Sequence, residues 1–128
     1  MKKLITLAAA LLLTIAAQAG PYPDISIGDL KTAIAAKQAT VIDVNGTKSW
    51  KEGHIPGAID YASNKEKLAS LLPKDKNALV VAYCGSPTCG AYAAAAKAAK
   101  DLGYTNIKHL SAGISGWKSA GEKTDSGS

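Results

Sequence analysis

The sequence predicts an α/β domain with a mostly parallel sheet, on three observations. Short β-branched or apolar runs alternate with stretches that space apolar residues as a helix does, and the links between them are brief. The longest run, Ala78-Leu79-Val80-Val81-Ala82-Tyr83, is uninterrupted, as suits a central parallel strand covered on both faces. A glycine-bracketed loop then joins that run to an Ala-rich helix. Strand, helix and strand in this order imply right-handed crossovers.

The chain opens with MKKLITLAAALLLTIAAQAG, the layout of a secretory signal peptide: Lys2 and Lys3, an apolar run from Leu4 to Ala17, then Ala17-Gln18-Ala19. Cleavage is expected after Ala19, giving a signal peptide over 1–19. The run is short and Ala-rich for a membrane span, so a product free of the membrane is expected once the leader is removed. Gly20, which would become the new terminus, offers no thiol for lipid attachment. A bacterial periplasmic or secreted protein is the expectation. The chain beyond the leader has room for one domain, 20–121, and a polar tail, 122–128, expected to fray.

Within that domain, Ser26 with Asp29 forms a capping-box signature for a helix carrying Leu30, Ala33 and Ile34 on one face and fading near Gln38. Thr40-Val41-Ile42-Asp43-Val44 reads as a buried strand, ended by Asn45-Gly46. A helical turn around Ser49 to Glu52 leads into Gly53-His54-Ile55-Pro56-Gly57-Ala58-Ile59, a tight turn and a short strand. Ser63 with Glu66 repeats the capping box for a helix with Leu68, Leu71 and Leu72, stopped by Pro73. After the apolar run comes the Ala91–Leu102 helix with Gly103 as its stop, then a strand from Ile107 to Leu110. A terminal helix from Gly113 to Ala120 contains Trp117.

Charge excludes some functions. The formal net charge of +5 falls to +3 once Lys2 and Lys3 leave, and the remaining lysines are scattered, which gives nucleic-acid binding little support. All 15 basic residues are Lys, so no guanidinium fork is available to clamp a phosphate, sulfate or carboxylate.

Chemistry concentrates at Cys84. In open parallel sheets the ligand crevice lies beyond the carboxyl ends of the strands. Cys84 follows the central strand directly, and the helix from Ala91 aims its N-terminal amides back at it, which stabilises a thiolate. The loop Gly85, Ser86, Pro87, Thr88, Cys89 and Gly90 can turn its amides inward as an anion-cradling nest. A packing cysteine at the end of a core strand is the bland alternative, and the glycine-bracketed loop has no packing rationale.

Ile42-Asp43-Val44, Gly53 to Ile59, Tyr83-Cys84 with its six-residue loop, Leu102-Gly103-Tyr104 and Gly113 to Trp117 together resemble the successive signatures of rhodanese domains. They fall in that family's order and cover nearly the whole chain after the leader. The resemblance implies a five-stranded parallel sheet flanked by helices. It also implies that Cys84 accepts sulfane sulfur from a small donor such as thiosulfate and passes it to a thiol acceptor. Two departures bear on the donor: Cys89 stands where these loops commonly carry a basic residue, and Asn45 where the first signature commonly continues with Arg. A thiosulfate dianion would then rely on loop amides, the helix end, and Lys48, Lys51 or Lys118 as point charges. Related phosphatases and arsenate reductases need a loop Arg, which excludes them here.

Cys89 is either a resolving thiol for Cys84 or a small residue that fits the loop. Asp43 is expected to orient loop amides or the His54 turn, and His54 to be structural. His109 is expected to pack, and Trp50 and Trp117 to anchor the core. No cofactor and no metal site are expected, because two cysteines with a four-residue gap between them and a lone histidine make a weak zinc set. Three functions compete: sulfur transfer through a Cys84 persulfide, thiol–disulfide exchange by Cys84 and Cys89, and a sulfur-binding module that serves a periplasmic protein partner. A monomer is expected.

Overall fold

The computed structural model describes residues 22–127. Among them, four parallel strands form one sheet in the order β2-β1-β3-β4, with β1 at Ala39–Asp43, β2 at Ile59–Asp60, β3 at Leu79–Tyr83 and β4 at Asn106–His109. The fifth strand implied by the resemblance is reduced to one bridge. Asp24 pairs with His109, the Ile25 N–H donating to the His109 carbonyl at 2.9 Å and the His109 N–H to the Pro23 carbonyl at 2.8 Å. Pro23 explains the shortness, since it has no N–H to continue a ladder.

Side-chain alternation along β3 sorts the interior into two layers. Val80, Ala82 and Cys84 face one side and join Ile42, Leu68 and Leu72 with Tyr92, Ala95, Ala96 and Ala99 of α5 (Tyr92–Asp101). Val81 and Tyr83 face the other, with Val41, Leu30 of α1 (Ile27–Ala35), Ile55, Leu110 and Trp117 of α6 (Gly113–Ser119). The period of two in the strand is thus what sends Cys84 and Tyr83 to opposite layers. Alanine on the buried stripe of α5 lets its backbone lie close over β3 and β4.

The first capping box forms as expected, with the Asp29 N–H donating to Ser26 Oγ at 3.0 Å. The second does not. Ser63 donates its hydroxyl to Asp60 Oδ2 at 2.8 Å, inside the short helix α3 (Tyr61–Asn64). Asn64 and Lys67 leave helical angles, so the region runs as α3, a 3₁₀ turn at Lys65–Lys67 and α4 (Leu68–Leu71). Leu71 consequently faces water. The helix α2 spans Thr47–Glu52.

The tail makes regular hydrogen bonds as far as Gly127. His54 and Asp125 exchange backbone bonds of 2.9 Å, the Gly127 N–H donates to the Lys51 carbonyl, and Trp117 Nε1–H donates to the Lys123 carbonyl. No helix among the described residues is long and apolar enough to cross a membrane. The expected signal peptide lies outside the described residues.

Candidate active site

All four strands present their carboxyl ends to the same edge, and Cys84 stands there at the end of β3, 1% exposed. Two helices converge on it. From α5, the Tyr92 N–H donates to Cys84 Sγ at 3.0 Å. From α6, the Ile114 and Ser115 N–H groups donate to the carbonyls of Cys84 and Gly85, each at 3.0 Å. The first contact favours negative charge on sulfur, by a directed N–H and by the positive end of the helix. The second pair pins the backbone that carries it.

The flexibility this packing needs lies at Gly113, which the sequence reading placed as a helix start and in the last signature. Gly113 has φ +66°, and a Cβ there would stand 2.6 Å from the Gly85 carbonyl carbon and 2.8 Å from the Ser86 nitrogen. Neither Gly85 nor Gly90, the glycines expected to turn the loop, adopts positive φ. At Gly85 a Cβ would meet only Asn45 Oδ1, at an ordinary contact distance of 3.5 Å. The N–H groups of Gly85, Ser86, Thr88 and Gly90 find no hydrogen-bond partner among the described residues, whereas the Cys89 N–H closes the loop onto the Ser86 carbonyl at 3.1 Å.

The structure joins Cys84 to Cys89 as a disulfide, with Cα atoms 6.1 Å apart, inside the roughly 4.4–6.8 Å that the bond allows. The Cys89 side chain therefore points at Cys84 Sγ.

Asp43 and Tyr83 belong to the other layer. Tyr83 donates its hydroxyl to Asp43 Oδ2 at 2.5 Å and accepts the Ile55 N–H at 3.1 Å, while Asp43 Oδ1 accepts the Asn45 N–H at 2.7 Å. One carboxylate thus fixes the start of the β1–α2 link and, through the phenol, the turn at residues 54–58. Burial raises the Asp43 carboxyl above its ordinary value, against the lowering effect of the Tyr83 hydroxyl. Burial, with Asp43 beside it, also pushes the Tyr83 phenol far up, so it stays a donor. Neither Asp43 nor His54 hydrogen-bonds a cysteine.

His54 stacks on Trp50, ring centroids 4.0 Å apart, with Nδ1 2.6 Å from the Trp50 carbonyl. A carbonyl can only accept, so Nδ1 carries the proton. His109 is buried, its ring stacked on Tyr92 at 3.4 Å, with Nε2 unpartnered. Burial lowers its pKa, so it is held neutral. Of the lysines offered as point charges, Lys48 pairs with Glu52 at 2.9 Å and Lys118 lies against Gly53. Lys65, which the sequence reading did not single out, lies over the Tyr61 ring. It lines a cavity of about 220 Å³ with Val44, Gly46, Tyr61, Ala91 and Ala94. A larger cavity, about 550 Å³, is lined by Tyr22, Lys100 and residues 103–107 at the amino end of β4, away from the thiols.

Comparison with known proteins agrees with this geometry. The thiosulfate sulfurtransferase GlpE of Shewanella oneidensis is 28% identical over 102 residues, covering 77% of this chain and 95% of that protein. The HTH-type transcriptional regulator Rv0324 of Mycobacterium tuberculosis is 33% identical over 109 residues, or 84% of this chain, which spans 46% of that regulator's length. A solved structure, the rhodanese-related protein of Thermoplasma volcanium, superposes with a TM-score of 0.62 at 27% identity, over 81% of this chain and 98% of that one. A family model described as rhodanese-like domain matches residues 26–120. That match runs from the cap of α1 through the end of α6, so every element that builds the sheet and the cysteine loop falls within it, and the chain belongs to the rhodanese-like domain family.

Proposed function

We propose that this chain is a sulfurtransferase that carries sulfane sulfur as a persulfide on Cys84. The observation that supports it most directly is the Tyr92 N–H donated to Cys84 Sγ at 3.0 Å, at the N-terminus of α5. With the loop disulfide reduced, the Cys84 thiolate attacks the outer sulfur of a donor. The donor's S–S bond breaks and its leaving group takes the electron pair, as sulfite from thiosulfate or as a thiolate from a persulfide. The acceptor thiolate then takes the outer sulfur and restores the Cys84 thiolate.

The amides of Gly85, Ser86, Thr88 and Gly90 are the donors for the outer sulfur. With no Arg in the chain and Lys48 paired to Glu52, a singly charged persulfide suits this loop better than the thiosulfate dianion. The relative named for thiosulfate supports sulfur transfer as the activity. The leader-like first nineteen residues support a periplasmic or secreted site of action.

Intact mass tests the central step. Reduced protein treated with a persulfide or thiosulfate donor should gain about 32 Da only if Cys84 is present. No gain in a Cys89→Ser variant, where the loop thiol cannot interfere, would sink the proposal. Recovery from the periplasm of a product starting at Gly20 would bear out export, and retention of the leader would refute it.

A further inference from the structure

We infer that Cys89 makes this domain a persulfide reductase: it attacks the Cys84 persulfide and releases sulfide, leaving the loop disulfide, which an external dithiol must reopen. The inference rests on the Cys84 persulfide proposed above. Three structural features carry it. The sulfurs of Cys84 and Cys89 are joined within one loop, so Cys89 can reach Cys84 Sγ without any element moving. The two cysteines differ in access, Cys84 being 1% exposed while Cys89 is half-buried between exposed Thr88 and Gly90. The Tyr92 N–H sits on Cys84 Sγ and on no atom of Cys89.

The bond made in the structure dictates which sulfur is attacked. Attack by Cys89 on the outer sulfur would only move the persulfide to Cys89, without oxidising anything. Attack on Cys84 Sγ forms the Cys84–Cys89 bond and breaks the bond from Sγ to the outer sulfur, which leaves with the electron pair as hydrosulfide. The sulfane sulfur is reduced by two electrons and the two cysteines are oxidised together. A protonated persulfide and a Cys89 thiolate therefore give disulfide and hydrosulfide, with charge and atoms balanced.

Reopening uses the asymmetry in the other direction. A dithiol reductant meets Cys89 first, because Cys84 is enclosed. Its thiolate bonds to the Cys89 sulfur and expels Cys84 as a thiolate, the leaving group that the Tyr92 N–H and the helix end stabilise. The second thiol of the reductant then frees Cys89 and carries the electrons away as its own disulfide. Until that happens Cys84 has no lone thiolate to load, so each molecule turns over once per reductant.

The test separates this inference from the reading beneath it. Purified protein is reduced, freed of reductant without air, and given one equivalent of glutathione persulfide; sulfide and intact mass are then followed. The expected result for the unaltered protein is about one equivalent of sulfide and a mass about 2 Da below the reduced form. Cys89→Ser should hold the gain of about 32 Da, with sulfide at least about tenfold lower, and Cys84→Ser should do neither. Repeated turnover of the unaltered protein should require an added dithiol such as dithiothreitol. If the unaltered protein also holds the added sulfur and releases no more sulfide than Cys89→Ser, the inference fails and the persulfide carrier stands. If Cys89→Ser takes up no sulfur, both fail.

Discussion

Tyr83 shows how one side chain can serve a site it does not touch. Its hydroxyl is shared by two buried partners, giving its proton to Asp43 and accepting the Ile55 N–H. Tyr83→Phe keeps the ring and strands both partners, and a buried group left without its hydrogen bond costs about 1–3 kcal/mol. We expect a loss of roughly 3 kcal/mol in urea unfolding at neutral pH. An unchanged midpoint would mean that water or a shifted turn satisfies both groups. The variant should also raise the Asp43 carboxyl further, because the Tyr83 hydrogen bond is what now lowers it. Cys84→Ser should abolish sulfur uptake, since a serine oxygen at that position cannot carry sulfane sulfur. Residual uptake would move the acceptor role to Cys89.

At the scale of elements, the site is the meeting of β3 with the starts of α5 and α6. The α5 contact sets the chemistry of sulfur; the α6 contact sets where the loop sits. Gly113 is the point where that second contact would fail. Alanine there meets a left-handed backbone angle, which costs about 1–2 kcal/mol, and a Cβ 2.6 Å from the carbonyl carbon of Gly85. Either α6 retreats or the cysteine loop moves. Gly113→Ala should lower stability by about 2 kcal/mol or more, and should slow persulfide loading at least about tenfold through misplacement of Cys84. Loading at the original rate in a destabilised variant would show that the loop position is not held by α6. The helix expected over residues 63–72 marks where local signals mislead: Asp60, at the end of β2, takes the Ser63 hydroxyl that the capping pattern had assigned to a helix start.

For the whole molecule, two buried titratable groups give stability opposite dependences on pH. Asp43 binds its proton more tightly folded than unfolded, so its contribution is full below its ordinary value of 3.8 and is lost as pH rises through the raised value. His109 binds its proton less tightly folded, so its contribution is full above 6.5 and is lost as pH falls through the lowered value. Acidification from neutral pH should therefore first weaken the fold through His109. His109→Phe keeps a ring against Tyr92 and removes the unpartnered Nε2, so it should flatten the stability curve just below about pH 6.5. If the variant's curve still falls there, another group carries the dependence. Trp117, 3% exposed between α1 and the β3 layer, anchors the second core; Trp117→Ala should cost about 3–5 kcal/mol and free the tail held at Lys123.

Much of this was legible in the chain alone, because the deciding interactions are local or periodic. The apolar run 78–83 bounded by a cysteine and glycine, the Ser26 cap and the Gly103 stop each record a short-range preference, and together they specify strand, helix and order. The place of Cys84 was legible for the same reason, as the first residue past a buried strand. What only the tertiary structure decided involves atoms far apart in sequence. The Tyr83 hydroxyl meets Asp43 forty residues away, and Gly113 meets Gly85. The face on which Asp43 lies, opposite to Cys84, follows from strand pairing, and the reach of Cys89 to Cys84 follows from a loop path pinned by two helices. Residue type and spacing determine which groups are present and on which element; packing between elements determines which of them touch.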